Sequence, residues 1–183
     1  DIGACVMHWS KEAQRIWPNA EIVMFDAMNH AEFLYKESGR KYFCGGPLGD
    51  VQDKEVFFYE KPMDPAGNSI YKENTEHYTE EHKVKKIMST LDNVVLSNNL
   101  PIPDLIKIDV QGAELDVLKG AEKTLQSVND IIIEMQHEEY NLGAPNVSVV
   151  TEYLESIGFE KVAMIRSAYV DGDYHFTRTR RRR

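Results

Sequence analysis

The stretch from Asp104 to Leu125 limits the possible folds more than any other part of the chain. It opens with a short apolar run, passes through a polar turn, and continues into a segment in which Leu115, Leu118 and Ala121 recur every three or four positions. This spacing places one apolar stripe along a helix. We therefore predict a buried strand followed by a helix that packs back onto the sheet.

The next apolar run, Ile131 to Ile133, supplies a second strand. A strand, a helix and a strand in this order nearly always form a right-handed crossover in a parallel sheet. Asp109 follows the first strand and Glu134 follows the second. Because ligands of open sheets bind beyond the carboxyl ends of the strands, these two carboxylates are predicted to meet at one candidate site.

The composition suits one domain with a real core, since the 183 residues are 42% hydrophobic. We predict a domain over residues 1–177 and a basic, arginine-rich tail over residues 178–183. The formal net charge is −9, and the arginine tail hides an even more acidic body. An acidic body repels a phosphate backbone, so the charge argues against nucleic acid as a partner, except through the tail itself.

The two cysteines, Cys5 and Cys44, lie in no disulfide or metal-binding pattern. This favours a reducing compartment, so we expect a cytoplasmic protein. No apolar run approaches the roughly 20 residues that a membrane span needs, and none is expected. The sequence opens at Asp1 without methionine, so we expect the native beginning to lie upstream. The sequence does not indicate an oligomeric state.

Residues 1–26 have the pattern of part of a nucleotide-binding unit. A glycine-bearing segment precedes a helical segment between Trp9 and Trp17, and the strand Glu21–Asp26 ends on an acid. Glycine lets the backbone approach a ligand closely, and an acid about 20 residues further on accepts hydrogen bonds from ribose hydroxyls. Asp26 is therefore a candidate ribose ligand, although an acid at a strand end is also a common solvated boundary.

The longest irregular stretch, Lys61 to Glu81, is polar and has no clean periodicity. Long loops inside compact domains often cover or form binding sites. Asn68, Ser69 and Tyr71 are candidates to meet a substrate there. A mobile surface loop is the alternative interpretation.

His137 is the histidine that adjoins the end of the second strand. Its imidazole could act as a general base near neutral pH or as a metal ligand. A single histidine is more often a surface or hydrogen-bonding residue, so both interpretations stay open.

Further strands are predicted at residues 42–44, 55–59 and 83–88. The loops that follow the strands at 21–26, 42–44 and 55–59 would share one edge if these strands are parallel. The chain is predicted to end in an antiparallel hairpin of strands 159–165 and 174–177. The pattern as a whole predicts an α/β fold with a mostly parallel sheet and helices on both faces.

The sequence KIDVQGAE at Lys107–Glu114, followed by LKGA at Leu118–Ala121, resembles the signature of the FkbM family of S-adenosylmethionine-dependent methyltransferases. The family carries an acid where this chain has Gln111. Cys5 and Met7 replace the asparagine and the second glycine of the family's first loop. The resemblance implies a Rossmann-like methyltransferase fold whose first strand lies mostly upstream of this sequence. Shorter matches occur in the same order at Asp1–Ala4, Phe25–Ala27, Leu48–Asp50, Gly67–Ser69, Thr90–Asp92 and Ile133–Glu134.

The resemblance also implies S-adenosylmethionine as the cofactor, and it implies roles for the matching residues. Asp109, with Glu134 or His137, would orient or deprotonate an acceptor hydroxyl, or the three would hold a divalent cation. The residues implied for the cofactor are Asp1, Gly3, Ala4, Asp26, Ala27, Gly49 and Asp50. Those implied for the substrate are Asn68, Ser69, Gln111 and Glu114.

The implied reaction is O-methylation of a hydroxyl on a sugar or another small metabolite, so a small-molecule or glycan acceptor is the expected partner. One alternative is a degenerate, non-catalytic domain that binds a nucleotide or a partner. A dinucleotide-dependent oxidoreductase and an RNA methyltransferase guided by the tail are two others. The absence of GxGxxG counts against the oxidoreductase.

Overall fold

A computed structural model describes residues 1–179, and most of the predicted tail, residues 180–183, lies outside the described part. The helices are α1 (His8–Ile16), α2 (Glu32–Ser38), α3 (Leu91–Ser97), α4 (Glu114–Lys119), α5 (Glu122–Leu125) and α6 (Val147–Ser156). The strands are β1 (Val23–Asp26), β2 (Lys41–Cys44), β3 (Lys54–Tyr59), β4 (Lys83–Met88), β5 (Leu105–Ile108), β6 (Asp130–Gln136), β7 (Phe159–Ser167) and β8 (Asp171–Arg178). Within residues 1–179, each helix is too short or too polar to cross a membrane.

Two parallel strand pairs meet at the amino-terminal segment. β1 pairs with β2, and β5 pairs with β6. Ile2 forms one-residue parallel bridges to Phe25 in β1 and to Ile108 in β5, so this single residue joins the two pairs. The carboxyl ends of β1, β5 and β6 consequently face the same edge of the sheet, as a parallel arrangement requires.

The carboxyl-terminal hairpin continues the sheet beyond β6. β8 pairs antiparallel with both β6 and β7, so it lies between them. The predicted α/β class and the antiparallel hairpin are confirmed. The predominance of parallel pairing is not confirmed, because the pairs β3–β4, β6–β8 and β7–β8 are all antiparallel.

β3 and β4 form a separate antiparallel pair, so the parallel arrangement on which the expected shared edge depended does not include β3. Parallel neighbours need a long crossover, usually a helix, between them. The connection from Lys61 to Glu81 instead contains only the 3-10 turn Pro65–Gly67 and the start of a second one, Glu80–His82. The two strands therefore fold onto each other.

The helix predicted after β5 is divided into α4 and α5, which meet at Gly120. A Cβ atom added to Gly120 would lie 1.9 Å from the carbonyl oxygen of Gly49, so the backbones approach too closely for a side chain. The Asp92 carboxylate then accepts hydrogen bonds from the backbone N–H groups of Lys123 and Thr124 at the start of α5. This capping contact compensates for the interrupted helix.

Two apolar clusters support the edge where β1, β5 and β6 end. The larger one contains the predicted stripe of α4 and α5 together with side chains of β5, β6 and α6. The smaller one lies beside β1 and consists of Ala4, Met7, Met24, Met28, Ala31 and Tyr35. Burial of one aliphatic side chain of this kind stabilises a fold by about 1.5–3 kcal/mol, so both clusters fix the strand ends firmly.

Arg178, the residue at which the tail was predicted to begin, belongs to β8. Its Nε donates a 2.8 Å hydrogen bond to the carbonyl of Val128, and its guanidinium lies 4.3 Å from the ring centroid of Phe159. Arg178 is therefore part of the sheet.

Candidate functional site

A cavity of about 320 Å³ opens where β1, β5 and β6 end. Its walls include the first loop, the end of β1 and the residues after it, the loop after β2, the irregular stretch between β3 and β4, the turn after β5, and Glu134 of β6. Of the residues proposed from sequence, those that line it are Gly3, Asp26, Ala27, Asn68, Asp109, Gln111 and Glu134.

Asp26, the last residue of β1, is half-buried and presents its carboxyl group to this cavity. Its Oδ2 accepts a 2.7 Å hydrogen bond from the backbone N–H of Cys5, and its Oδ1 accepts a 2.9 Å bond from that of Met28. Burial raises the pKa of Asp26, although these two hydrogen bonds oppose the shift. Each oxygen keeps a free lone pair, so the group can accept hydrogen bonds from ligand hydroxyls.

The first loop depends on left-handed backbone conformations. Gly3 has φ +82°, and an added Cβ atom would lie 1.7 Å from the carbonyl oxygen of Asp109. Cys5 and Met7 also have positive φ angles, 48° and 65°. The loop therefore keeps a shape that asparagine and glycine adopt easily, at a cost of about 1–2 kcal/mol for each ordinary residue. The buried side chain of Met7 offsets part of that cost by packing in the cluster beside β1.

Gln111 joins the two predicted catalytic carboxylates. Its Nε2 donates to Oδ1 of Asp109 at 3.0 Å and to Oε2 of Glu134 at 2.7 Å. Gln111 itself has φ 54°, a conformation that a non-glycine residue adopts mainly at turns and functional sites. The turn after β5 thus places an amide between two acids rather than a third carboxylate.

Each of the two acids also contacts a cation through its other oxygen. Lys107 Nζ lies 3.2 Å from Oδ2 of Asp109, and Arg166 Nη2 lies 2.5 Å from Oε1 of Glu134. Burial would raise the pKa of Asp109, but the Lys107 ammonium and the hydrogen bonds outweigh it and leave that pKa lowered. Burial and the neighbouring Asp109 carboxylate raise the pKa of Glu134, and the Lys107 ammonium opposes this rise. The charge of the pair therefore resides mainly on Asp109.

Asn68 brings an unsatisfied donor to the cavity wall. The Asn68 side chain is buried, with 9% of the residue exposed. Its Oδ1 accepts a 2.8 Å hydrogen bond from the backbone N–H of Lys61, which can only donate, so the orientation of the amide is fixed. Its Nδ2 is buried without a hydrogen-bond partner in the described residues. A buried donor left unpaired costs about 1–3 kcal/mol, and a bound ligand could satisfy it.

The other residues proposed for the cofactor lie away from the cavity lining. Asp1 accepts a hydrogen bond from the Ser10 hydroxyl and lines a different groove. Ala4 packs in the cluster beside β1. Gly49 packs against α4 at Gly120, and Asp50 is exposed to solvent.

Three further residues proposed for substrate or catalysis have internal partners. The Ser69 hydroxyl donates to the Val110 carbonyl, and the buried Glu114 carboxylate accepts hydrogen bonds from the backbone of the turn after β5. His137 Nε2 lies 2.7 Å from the Tyr174 hydroxyl and does not line the cavity. Glu114 therefore shapes the turn, and Ser69 fastens the irregular stretch to it. Among residues 1–179, no group of three His, Cys, Asp or Glu side chains is arranged to hold a metal ion.

Sequence reasoning missed two kinds of site residue. The first is the apolar lining, which includes Ile2, Phe25, Leu48, Phe58, Pro65, Ala66 and Ile70. These residues occur in ordinary strand and turn patterns, so their types alone do not mark a ligand site. The second is Arg166, whose contact with Glu134 depends on the register of the carboxyl-terminal hairpin. The acids at Asp171 and Asp173 were the available signal, because neighbouring carboxylates favour a nearby cation.

Comparisons with known proteins identify the family of this chain. The methyltransferase FkbM domain family matches residues 1–161. The hexuronic acid methyltransferase AglP of Haloferax volcanii is 40% identical over 95 residues, which are 52% of this chain and 35% of AglP. The AMB antimetabolite synthetase AmbE of Pseudomonas aeruginosa is 33% identical over 94 residues, which are 51% of this chain and 4% of AmbE. The matched regions therefore span well under two thirds of each relative.

A solved structure of LepI in complex with SAM aligns with a TM-score of 0.47 at 10% identity, covering 98% of this chain and 42% of that chain. A second solved chain, described as a pericyclic reaction enzyme, gives the same TM-score and coverage. The family match is much more specific, because it extends through the first loop, the KIDVQGAE turn and the strand that carries Glu134. On that match, the chain belongs to the FkbM methyltransferase family.

Proposed function

We propose that the chain transfers a methyl group from S-adenosylmethionine to a hydroxyl oxygen of a sugar or another small metabolite. Family membership makes S-adenosylmethionine the methyl donor. The observation that carries the proposal is the meeting of Asp26 from β1 with Asp109 and Glu134 on one cavity. A candidate ribose ligand and a candidate acceptor base thus face the same space.

The residues around the cavity fit such a cofactor. Its volume of about 320 Å³ lies within the range of small-molecule sites, which begins at about 300 Å³. Gly3 allows the first loop to lie against β5, and Asp26 presents a carboxyl group to ligand hydroxyls. Gly3, Asp26 and Ala27 would hold the cofactor.

The chemistry required of the protein is limited. When bound, S-adenosylmethionine supplies a methyl group that its sulfonium already activates. The side chains then have to align the acceptor oxygen and receive its proton. Asp109 fits this task best, because it lines the cavity and its carboxylate can accept a hydrogen bond from the acceptor hydroxyl. Glu134 would help to orient the acceptor hydroxyl, and His137 is assigned no role because it lies off the cavity lining.

A sugar acceptor is supported by a relative rather than by the cavity. AglP is a hexuronic acid methyltransferase and shares 40% identity with part of this chain. Gln111 and Asn68 are the residues we assign to the acceptor side, since amide groups suit hydrogen bonding to sugar hydroxyls.

The first experiment is calorimetric titration with S-adenosylhomocysteine, with NADH as the control ligand. We expect Asp26→Asn to weaken binding at least tenfold, since the amide cannot accept all the hydrogen bonds of the carboxylate. We expect Asp109→Asn to leave binding within a factor of about three. Asp104→Asn, which changes an exposed acid, is the matched control and should behave like the unmodified chain.

The second experiment measures transfer of a labelled methyl group to a panel of neutral sugars and uronic acids. Asp109→Asn should lower the rate by about 10²-fold or more if the carboxylate acts as a general base. Weakened cofactor binding in Asp109→Asn, with unchanged binding in Asp26→Asn, would contradict the role assignment. Binding of NADH instead of S-adenosylhomocysteine would favour the oxidoreductase alternative.

A further inference from the structure

Six side chains close a ring of hydrogen bonds and ion pairs beside the cavity. The ring passes through Lys107, Asp109, Gln111, Glu134, Arg166 and Asp173 and returns to Lys107. Its two closing contacts are made by Asp173, whose Oδ1 lies 3.5 Å from Lys107 Nζ and whose Oδ2 lies 2.6 Å from Arg166 Nε. Both cations that contact the candidate catalytic acids are therefore tied to one carboxylate.

The ring holds Asp109 and Glu134 in matching ways. One oxygen of each acid accepts a hydrogen bond from the Gln111 amide. The other oxygen accepts one from a cation, which is Lys107 for Asp109 and Arg166 for Glu134. A carboxylate bound at both oxygens has a fixed plane and a fixed direction for its remaining lone pairs. The geometry presented to an acceptor hydroxyl thus depends on cations that do not line the cavity.

Arg166 and Asp173 come from the hairpin of β7 and β8, beyond the part of the chain that the family match covers. They face each other across the hairpin, and the register shifts between Met164 and Arg166. An irregularity of this kind turns a side chain out of the regular alternation. Here the irregularity lies beside Arg166, whose guanidinium extends past β8 to contact Glu134 on β6.

We propose that Arg166, held by Asp173, is a positioning residue that sets the orientation of Glu134 at the acceptor side of the cavity. The inference rests on the proposed function, in which Glu134 orients the acceptor hydroxyl. The ring itself can be tested without any acceptor.

Charged groups from three strands face Glu134. Asp109 and Lys107 come from the β5 side, Arg166 comes from β7, and Asp171 and Asp173 come from β8. Without Arg166, Glu134 would face three carboxylates and a single, more distant ammonium. Its protonated form would then be favoured further, and its carboxyl plane would lose one of its two anchors.

The test is a carbon-13 NMR titration of the glutamate side-chain carboxyls in the full chain. We expect Arg166→Met to raise the pKa of Glu134 by about one unit or more, because a cation in direct contact is removed. Arg166→Lys should restore part of that shift, since it returns the charge without the planar fork. Lys161→Met removes a cation from the same strand without a carboxylate partner among the described ion pairs, and it should leave the titration unchanged.

Asp173→Glu provides a second route, because it keeps the negative charge but moves the carboxylate that holds Arg166. We expect a shift in the same direction as that of Arg166→Met, but smaller. An unchanged Glu134 titration in either folded variant would overturn the proposal, and so would an equal shift in Lys161→Met. If one variant does not fold, the other decides the question.

Calorimetry with S-adenosylhomocysteine separates this inference from the proposed function. Arg166→Met should bind the ligand within a factor of about three of the unmodified chain, since Arg166 does not line the cavity. Failure of the unmodified chain to bind would defeat the proposed function while leaving the Glu134 titration interpretable. Normal binding with no shift of the Glu134 titration would defeat the positioning role alone.

Discussion

The two sides of the cavity are held in place by different kinds of bond. On the side of β5 and β6, side chains bind one another, and Gln111 links Asp109 to Glu134. On the side of β1, backbone groups make most of the contacts, because Asp26 accepts its hydrogen bonds from main-chain N–H groups. The Tyr35 hydroxyl completes that side with a 2.6 Å bond to the Cys5 carbonyl.

This difference determines what each side can tolerate. A wall made of side-chain bonds is sensitive to the charge of its residues and hence to pH. A wall made of backbone bonds is sensitive to main-chain conformation, so changes of residue type matter there only when they alter φ and ψ or remove a fixed contact. The following substitutions test the contrast.

The largest effect is expected for Gly3→Ala on the backbone side. The new Cβ atom would overlap the Asp109 carbonyl at 1.7 Å, and φ is +82°. We expect a loss of more than about 3 kcal/mol of unfolding free energy in urea titrations, together with loss of S-adenosylhomocysteine binding. The matched control is Gly39→Ala, where φ is +69° and nothing lies within 4 Å of the added atom. It should cost only about 1–2 kcal/mol, and equal losses in the two variants would refute the overlap argument.

A pH-dependent effect is expected for Glu114→Gln on the side-chain side. Burial raises the pKa of Glu114 to about 7. The folded state therefore binds the proton more tightly than the unfolded state does. The contribution of Glu114 to the free energy of unfolding is thus complete below a pH of about 4.5 and is lost as the pH rises to about 7. Glu114→Gln should remove that decline, which amounts to up to about 3 kcal/mol in unfolding free energy between pH 4 and pH 8.

The control for this pH effect is Glu122→Gln, which changes an exposed acid in α5. It should leave the pH dependence of the unfolding free energy unaltered. A Glu114→Gln variant whose stability declines over the same range as that of the unmodified chain would show that another group is responsible.

The smallest effect is expected for Tyr35→Phe on the backbone side. This change removes one hydroxyl and leaves the Cys5 carbonyl without that donor. We expect a loss of about 1–2 kcal/mol of unfolding free energy and only a few-fold weakening of S-adenosylhomocysteine binding. Tyr42→Phe, which removes a hydroxyl that donates to Glu32 at the surface, should cost less. If Tyr42→Phe costs as much, the first loop is not specially dependent on this contact.

Sequence reasoning worked well where the chain has strong periodicity. The strand and helical region between Asp104 and Leu125 were found because buried residues recur at helical spacing. The convergence of Asp109 and Glu134 followed from topology alone, because the carboxyl ends of adjacent parallel strands lie together.

Sequence reasoning was weaker where long-range packing decides the structure. The interruption of the helix at Gly120 depends on the close approach of Gly49, which is 71 positions earlier and invisible to local spacing. The antiparallel pairing of β3 with β4 likewise depends on how a connection without a helix folds back. His137 was singled out for its chemistry, yet its partner is Tyr174 on a strand whose register was not predictable.

The position of β8 has a consequence for biosynthesis. β8 follows β7 in the chain but lies between β6 and β7 in the sheet. During translation, β7 therefore emerges before the strand that must separate it from β6, and it has no pairing partner in the sheet until β8 is made. A chain interrupted after Ser167 would lose both pairings of β8 at once, leaving β6 exposed along one edge. Completion of the sheet therefore waits for β8, although β7 precedes it in the chain.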